Sequence, residues 1–255
     1  MRLRVLGSSP VRPNPDAACT GYLVQAGAQS LLLDCGSGVL GQLLRYLSLP
    51  ELDAVFISHG HPDHCLDLVN IRQALAYVPS ERRAQPLPVY APAPTVTMLQ
   101  AIGEVFNGGE AGYWDGYVQF HPVSPDRAEN IGDLALRFAW TRHYLPCLAL
   151  RLEADHKTLV FGADSGPDSG LEQLAIDADL LILEATLLRE QALAEDQERG
   201  HLSGDEAARL ADRAGAARLL LTHYFAELGP RVLAEARGAA DLPVDLARQG
   251  ELHEL

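Results

Sequence analysis

Positive charge is scarce in this chain. Lys and Arg number 20 against 34 Asp and Glu, giving a formal net charge of -14 at pH 7. So acidic a protein excludes a broad basic face for nucleic acid, leaving room only for a local patch, and it repels anionic membranes. Long apolar runs are missing as well: none reaches the ~18 residues that a bilayer-spanning helix needs. The opening stretch, residues 1–7, is too short in its apolar part for a secretory leader. Cysteine is confined to Cys19, Cys35, Cys65 and Cys147, without paired spacing. That is no disulfide framework, and the four read as reduced thiols in the core of a cytoplasmic protein. No low-complexity tract or long linker interrupts the sequence. The 255 residues are 47% apolar and 21% charged, which fits a soluble single domain (1–255) of two packed halves, about 1–125 and 126–255.

Short apolar or alternating runs at 3–6, 22–25 and 31–34 read as strands of a meander. Helical spacing follows at 40–47, a buried strand at 54–58 and a helix at 66–77. A strand at 89–91, a helix at 95–106 and a strand at 118–122 complete the first half. Strands at 134–140, 147–152 and 158–161 open the second, the last two forming a hairpin around Ala154-Asp155-His156-Lys157. A buried strand at 180–183 precedes a capping box, Ser203 with Glu206, that starts a helix over 204–214. A strand at 219–221 and a helix from Pro230 to about residue 240 close the chain. Two β-rich-then-helix halves predict sheets packed on each other with helices outside.

Ser58-His59-Gly60-His61-Pro62-Asp63-His64 stands directly after a buried strand. Three histidines and an aspartate within six residues form an unusual density of metal ligands, and Gly60 and Pro62 oppose a regular helix, so the backbone turns and can aim several side chains at one point. Imidazole and carboxylate suit zinc, and also iron or manganese. Three further candidates, His143, Asp164 and His223, each follow a strand. Together these seven N or O ligands are what two adjacent metal ions require, with one carboxylate between them.

This set resembles the metallo-β-lactamase superfamily, whose members carry a His-x-His-x-Asp-His turn and then a His, an Asp and a His at strand ends. The match runs from Asp34-Cys35-Gly36 to His223. It implies an α+β fold, an αββα sandwich of two mixed sheets with outer helices and metals at one edge. It assigns His59, His61 and His143 to one divalent ion and Asp63, His64 and His223 to the other, with Asp164 bridging. Within the superfamily the chain is similar to ribonuclease Z and its short, armless relatives. The resemblance is carried by Glu184-Ala185-Thr186 at a strand end, by Gly200-His201-Leu202-Ser203 before an Ala-rich helix, and by Leu221-Thr222-His223-Tyr224. Ribonuclease Z grips tRNA with a long basic arm between the third and fourth metal motifs, where this chain has only a hairpin.

The resemblance implies a dinuclear hydrolase, with metal-activated hydroxide attacking phosphorus. Asp63 would orient the nucleophile or take its proton, while His201, kept protonated by Glu184, would bind phosphate oxygen or protonate the leaving alkoxide. The first reading is a phosphodiesterase on small or single-stranded, cyclic-nucleotide-like substrates, with no strong nucleic-acid or membrane binding. The alternatives are a lactone, thioester or sulfate-ester hydrolase, a ribonuclease Z-like nuclease, or a non-hydrolytic binding or cofactor-pathway protein. Relatives are often dimers, so a homodimer is compatible. His121, His156 and His253 lie outside the motif pattern, and Tyr113 and Trp114 read either as a loop near the active edge with Asn107-Gly108-Gly109 or, in preference, as simple packing.

Overall fold

The computed structural model describes residues 1–194 and 199–255. Its first half comprises β1 (Arg2–Ser9), β2 (Ala18–Cys19), β3 (Gly21–Ala26), β4 (Gln29–Leu33), α1 (Val39–Leu43), β5 (Ala54–Phe56), α2 (Pro62–Cys65), α3 (Asp67–Tyr77), β6 (Leu87–Pro92), α4 (Ala93–Phe106) and β7 (Val118–Val123). There follow β8 (Glu129–Ile131), β9 (Leu134–Trp140), β10 (Leu148–Ala154), β11 (Lys157–Phe161), α5 (Ser169–Leu174), β12 (Leu180–Glu184), α6 (Arg189–Ala194), α7 (Gly204–Arg213), β13 (Leu219–Thr222), α8 (Gly229–Arg237), β14 (Val244–Leu246) and β15 (Leu252–Glu254).

These strands make two mixed sheets, ordered β15-β1-β3-β4-β5-β6-β7, with β2 against β1, and β14-β13-β12-β11-β10-β9-β8. Both follow one plan. An antiparallel stretch, β15 to β4 in one sheet and β8 to β11 in the other, leads into parallel strands, β4 to β7 and β11 to β14. Parallel neighbours need crossovers, and helices supply them: α1 to α4 in the first sheet, α5 to α8 in the second.

Three apolar layers hold this sandwich. Between the sheets, Val5, Tyr22, Val24, Leu31, Leu33 and Phe56 meet Leu136, Phe138, Leu150, Phe161 and Ile182. Alternate residues of the same strands, Leu23, Leu32 and Val55, face helices α1 and α3 through Val39, Leu43, Leu68 and Ile71. On the far side, Val160, Leu181, Leu183 and Leu219 pack against Ala207, Leu210 and Ala211 of α7 and Val232 of α8. Strands covered on both faces become continuous apolar runs, which is why 180–183 and 219–221 show no alternation. The outer helices complete the αββα architecture expected from the sequence. No described helix is long and apolar enough to cross a membrane.

Two expectations need correction. Pro62 does not hold the ligand run out of helix: it occupies the first position of α2, where a missing N–H costs nothing, and starts a one-turn helix over Pro62–Cys65. The C-terminal segment does not stay with the second half, since β15 returns to pair with β1, Leu3 opposite His253. The four cysteines are buried and unpaired.

Two segments are stitched to the ligand turn by backbone hydrogen bonds: in the loop after β4, Cys35 N donates to His64 O (2.7 Å), and between β2 and β3, Thr20 N donates to Asp63 O (3.1 Å). Gly36 lies so close that a β-carbon there would stand 1.9 Å from Asp63 O. Gly36→Ala therefore has to push the ligand turn away and is expected to cost about 1–3 kcal/mol. Urea unfolding measures it; a wild-type midpoint for the variant would show that this contact is slack.

Candidate metal centre

Nearly all the chemistry sits where strands end. Asp34 follows β4, the 59–64 run follows β5, His143 follows β9, Asp164 follows β11, Glu184 ends β12 and His223 follows β13. At the carboxyl ends of parallel strands the chain leaves the sheet as loops, so side chains from several strands converge on one edge. Three of these exits turn through a left-handed residue that is not glycine: Asp34 (φ 54°), Ala163 (φ 51°) and His223 (φ 54°). Each costs on the order of 1 kcal/mol or more, held by the packed strands behind it.

The seven predicted ligands meet as two groups. In one, His61 Nδ1 lies 3.0 Å from His59 Nε2 and 3.1 Å from His143 Nε2, and Asp164 Oδ2 is 3.9 Å from both Nε2 atoms. In the other, His223 Nε2 is 3.2 Å from His64 Nε2 and 3.1 Å from Asp63 Oδ2. Asp164 reaches this group too, with Oδ1 3.3 Å from His64 Nε2 and Oδ2 3.5 Å from His223 Nε2. Within each group the donor atoms lie within 4.8 Å of one another.

Proton bookkeeping shows what such a cluster can hold. The Gly200 carbonyl can only accept, so His143 Nδ1 donates to it (2.9 Å). His64 Nδ1 donates to the Asp34 carboxylate (2.6 Å). Ser58 Oγ gives its proton to Asp34 Oδ2 (2.8 Å) and therefore accepts from His59 Nδ1 (3.0 Å). Thr186 Oγ1 likewise donates to Glu184 Oε2 (2.5 Å) and accepts from His223 Nδ1 (2.8 Å). With these hydrogens outward, the Nε2 atoms of all four rings face one another inside. At His64 burial lowers the pKa, but the Asp164 and Asp34 carboxylates outweigh it and hold the ring above the usual imidazole range, so a metal ion there has to displace that ring's second proton. Burial, the largest influence, holds His59, His61 and His143 below the usual imidazole range and so favours the neutral, ligating form. Converging lone pairs with a shared carboxylate are a donor set for cations, and imidazole with carboxylate suits zinc-class ions.

His201 and Glu184 form a further pair at the rim. Glu184 Oε1 accepts from His201 Nδ1 (2.8 Å) and from Ser165 N (2.9 Å). Burial lowers the His201 pKa, but the adjacent carboxylate outweighs it and the ring ends at about 9. His201 also has a ring nitrogen within 4.8 Å of ligand atoms of Asp164 and His223.

The structure thus brings together every residue singled out from the sequence. Sequence reasoning missed the partners that orient them: Asp34, Ser58, Thr186, the Gly200 carbonyl and the Val11 amide, which donates to Asp63 Oδ2 (2.7 Å). Asp34 stood in the sequence at a strand end where the family resemblance begins, without an assigned role. Elsewhere His121 stacks on Tyr90, His156 occupies the hairpin turn and His253 lies in β15. Trp114 donates to Leu99 O (2.9 Å) within the helical layer, as packing requires.

Comparison with known proteins agrees with this geometry. Residues 29–224 match the family described as "Beta-lactamase superfamily domain". The chain is 31% identical to a Bacillus subtilis protein described as "Probable metallo-hydrolase YhfI", over 100% of both chains. The YhfI crystal structure superposes with a TM-score of 0.85, at 30% identity, over 99% of this chain and 98% of that one. A ribonuclease Z of Mycobacterium bovis is 30% identical over 90% of this chain and 88% of its own. Zn(2+)-bound PqqB of Methylobacterium extorquens, at 17% identity and TM-score 0.76 over 100% of both chains, shares the fold. Family match, relatives and sandwich agree: the chain belongs to the metallo-β-lactamase superfamily of metallo-hydrolases.

Proposed function

We propose that this protein is a dinuclear phosphodiesterase acting on small or single-stranded phosphodiesters of the cyclic-nucleotide kind. The observation that carries the reading is the His201–Glu184 pair beside the ligand groups. A carboxylate-charged imidazole is suited to an anionic phosphoryl group and a departing alkoxide, and has no evident task in opening an uncharged lactam.

His59, His61, His143 and Asp164 would hold one ion, and Asp63, His64, His223 and the same Asp164 the other. Bound there, zinc-class ions lower the pKa of water to near neutrality and offset charge on the reacting phosphate. Asp63, held by the Val11 amide, stands ready to orient that water or take its proton. His201 presents its remaining N–H to phosphate oxygen or to the leaving oxygen, while Glu184 fixes the ring and favours its cation. A ribonuclease Z reading shares the geometry, and the M. bovis relative is of similar extent, so length does not separate the two. The net charge of -14 favours the small substrate, because gripping a long polyanion depends on released counterions and a basic surface. We place the protein in the cytoplasm, as one domain, with a homodimer compatible.

Three outcomes follow. Zinc-reconstituted protein should contain about two ions per chain by elemental analysis, falling as acidity protonates the imidazoles; a content near zero at neutral pH would contradict the ligand assignment. Bis(p-nitrophenyl) phosphate should be hydrolysed in preference to lactone and thioester panels, and the reverse preference would sink the phosphodiesterase reading. His201→Ala should keep its metal yet lose roughly two to four orders of magnitude in kcat on an alkyl phosphodiester, and less on an aryl one whose leaving group needs little protonation. Glu184→Gln should show a smaller defect of the same kind, whereas Asp63→Ala loses metal together with activity. Metal loss in His201→Ala would instead make that ring a ligand.

A further inference from the structure

A groove of about 630 Å³ opens beside the first ligand group, with His143 in its wall. The other walls include Trp140, Tyr144, Leu145, Pro146, Pro94 and Val123. Apart from the His143 ring, no ionisable nitrogen or carboxylate lines it among the described residues. It lies in a strongly acidic protein and next to a cluster of imidazoles and carboxylates, so its neutrality is local and specific.

Its aromatic walls are exposed for a structural reason. Along β9 the inward residues Leu134, Leu136 and Phe138 are buried in the layer between the sheets. Trp140 has the same parity but stands past the end of that layer, at the mouth, and is 44% exposed. Four residues on, Tyr144 is 64% exposed, with its ring centroid 5.3 Å from that of His143 and 5.8 Å from that of His201. Large aromatic side chains lose free energy by standing in water, and two of them line a groove whose wall includes the His143 ring. The groove volume is in the range of small-ligand pockets.

We infer that this groove is the subsite for an uncharged planar aromatic group carried by the substrate, a nucleobase being the fitting chemistry, with Trp140 and Tyr144 as specificity-determining residues. The inference rests on the phosphodiesterase reading, which places the phosphoryl group at the ligand groups; the substituent on that phosphate then extends past His143 between the two rings. Flat π faces suit a planar partner, and stacking tolerates any base.

The test is calorimetric binding to the zinc-loaded protein of adenosine 5′-monophosphate, ribose 5-phosphate and hexyl phosphate. The nucleotide should bind at least about tenfold more tightly than ribose 5-phosphate, the size expected of one stacked base. Trp140→Ala should remove most of that preference by weakening the nucleotide alone, and Trp140→Phe should retain it. Equal affinities in the wild type, a preference that survives Trp140→Ala, a parallel loss for both ligands in that variant, or hexyl phosphate binding as tightly as the nucleotide would each overturn the subsite. Binding is read without turnover. A protein that hydrolyses bis(p-nitrophenyl) phosphate but ignores the base therefore refutes the groove alone, and one that binds the base but hydrolyses no phosphodiester refutes the activity alone.

Discussion

The outward N–H of a buried imidazole must find an acceptor, and that requirement organises this molecule. A ring can offer its inner lone pair to a cation only if its other nitrogen holds the proton. Asp34, Ser58, Thr186 and the Gly200 carbonyl supply four such acceptors, each fixed by a different part of the chain. Two of them are coupled further: Ser58 gives its own proton to Asp34, so a single carboxylate orients both His59 and His64. Glu184 plays the same part on the other sheet, taking the Thr186 hydroxyl that faces His223 and also the His201 ring. The two ligand groups and the rim pair are therefore one polar network with two carboxylate anchors.

The fold makes such a network affordable by repeating one plan. Asp34 follows the strand at which the first sheet turns from antiparallel to parallel, and Asp164 follows its counterpart in the second. The parallel ends of both sheets open on one edge, and three apolar layers hold the strands rigid behind it. Left-handed turns at Asp34, Ala163 and His223 then aim side chains that straight strands would have pointed elsewhere. Strain of this kind persists only where surrounding packing over-determines it.

What could be read in the sequence follows from the same division. The 59–64 run is local, so density and spacing expose it. His143, Asp164 and His223 are visible because each follows a strand, and the capping box at Ser203 announces α7. Asp34, Ser58 and Thr186 stand inside sequence motifs, but their orienting roles could not be read because the Ser58–Asp34 and Thr186–His223 contacts exist only when two strands lie side by side. The return of β15 to β1 escaped for a related reason, since three residues carry too short a pattern to name a distant partner. Pro62 was misjudged because its effect depends on position, forbidding a helix interior while favouring a first turn.

The central claim is that the inward lone pairs bind two ions joined by Asp164. Anomalous diffraction at the zinc edge from zinc-loaded crystals tests it directly. The account predicts two peaks a few ångströms apart, one among His59, His61 and His143 and the other among Asp63, His64 and His223, with Asp164 reaching both. A single peak, or a second peak held by His201 in place of Asp63 and His64, would contradict it.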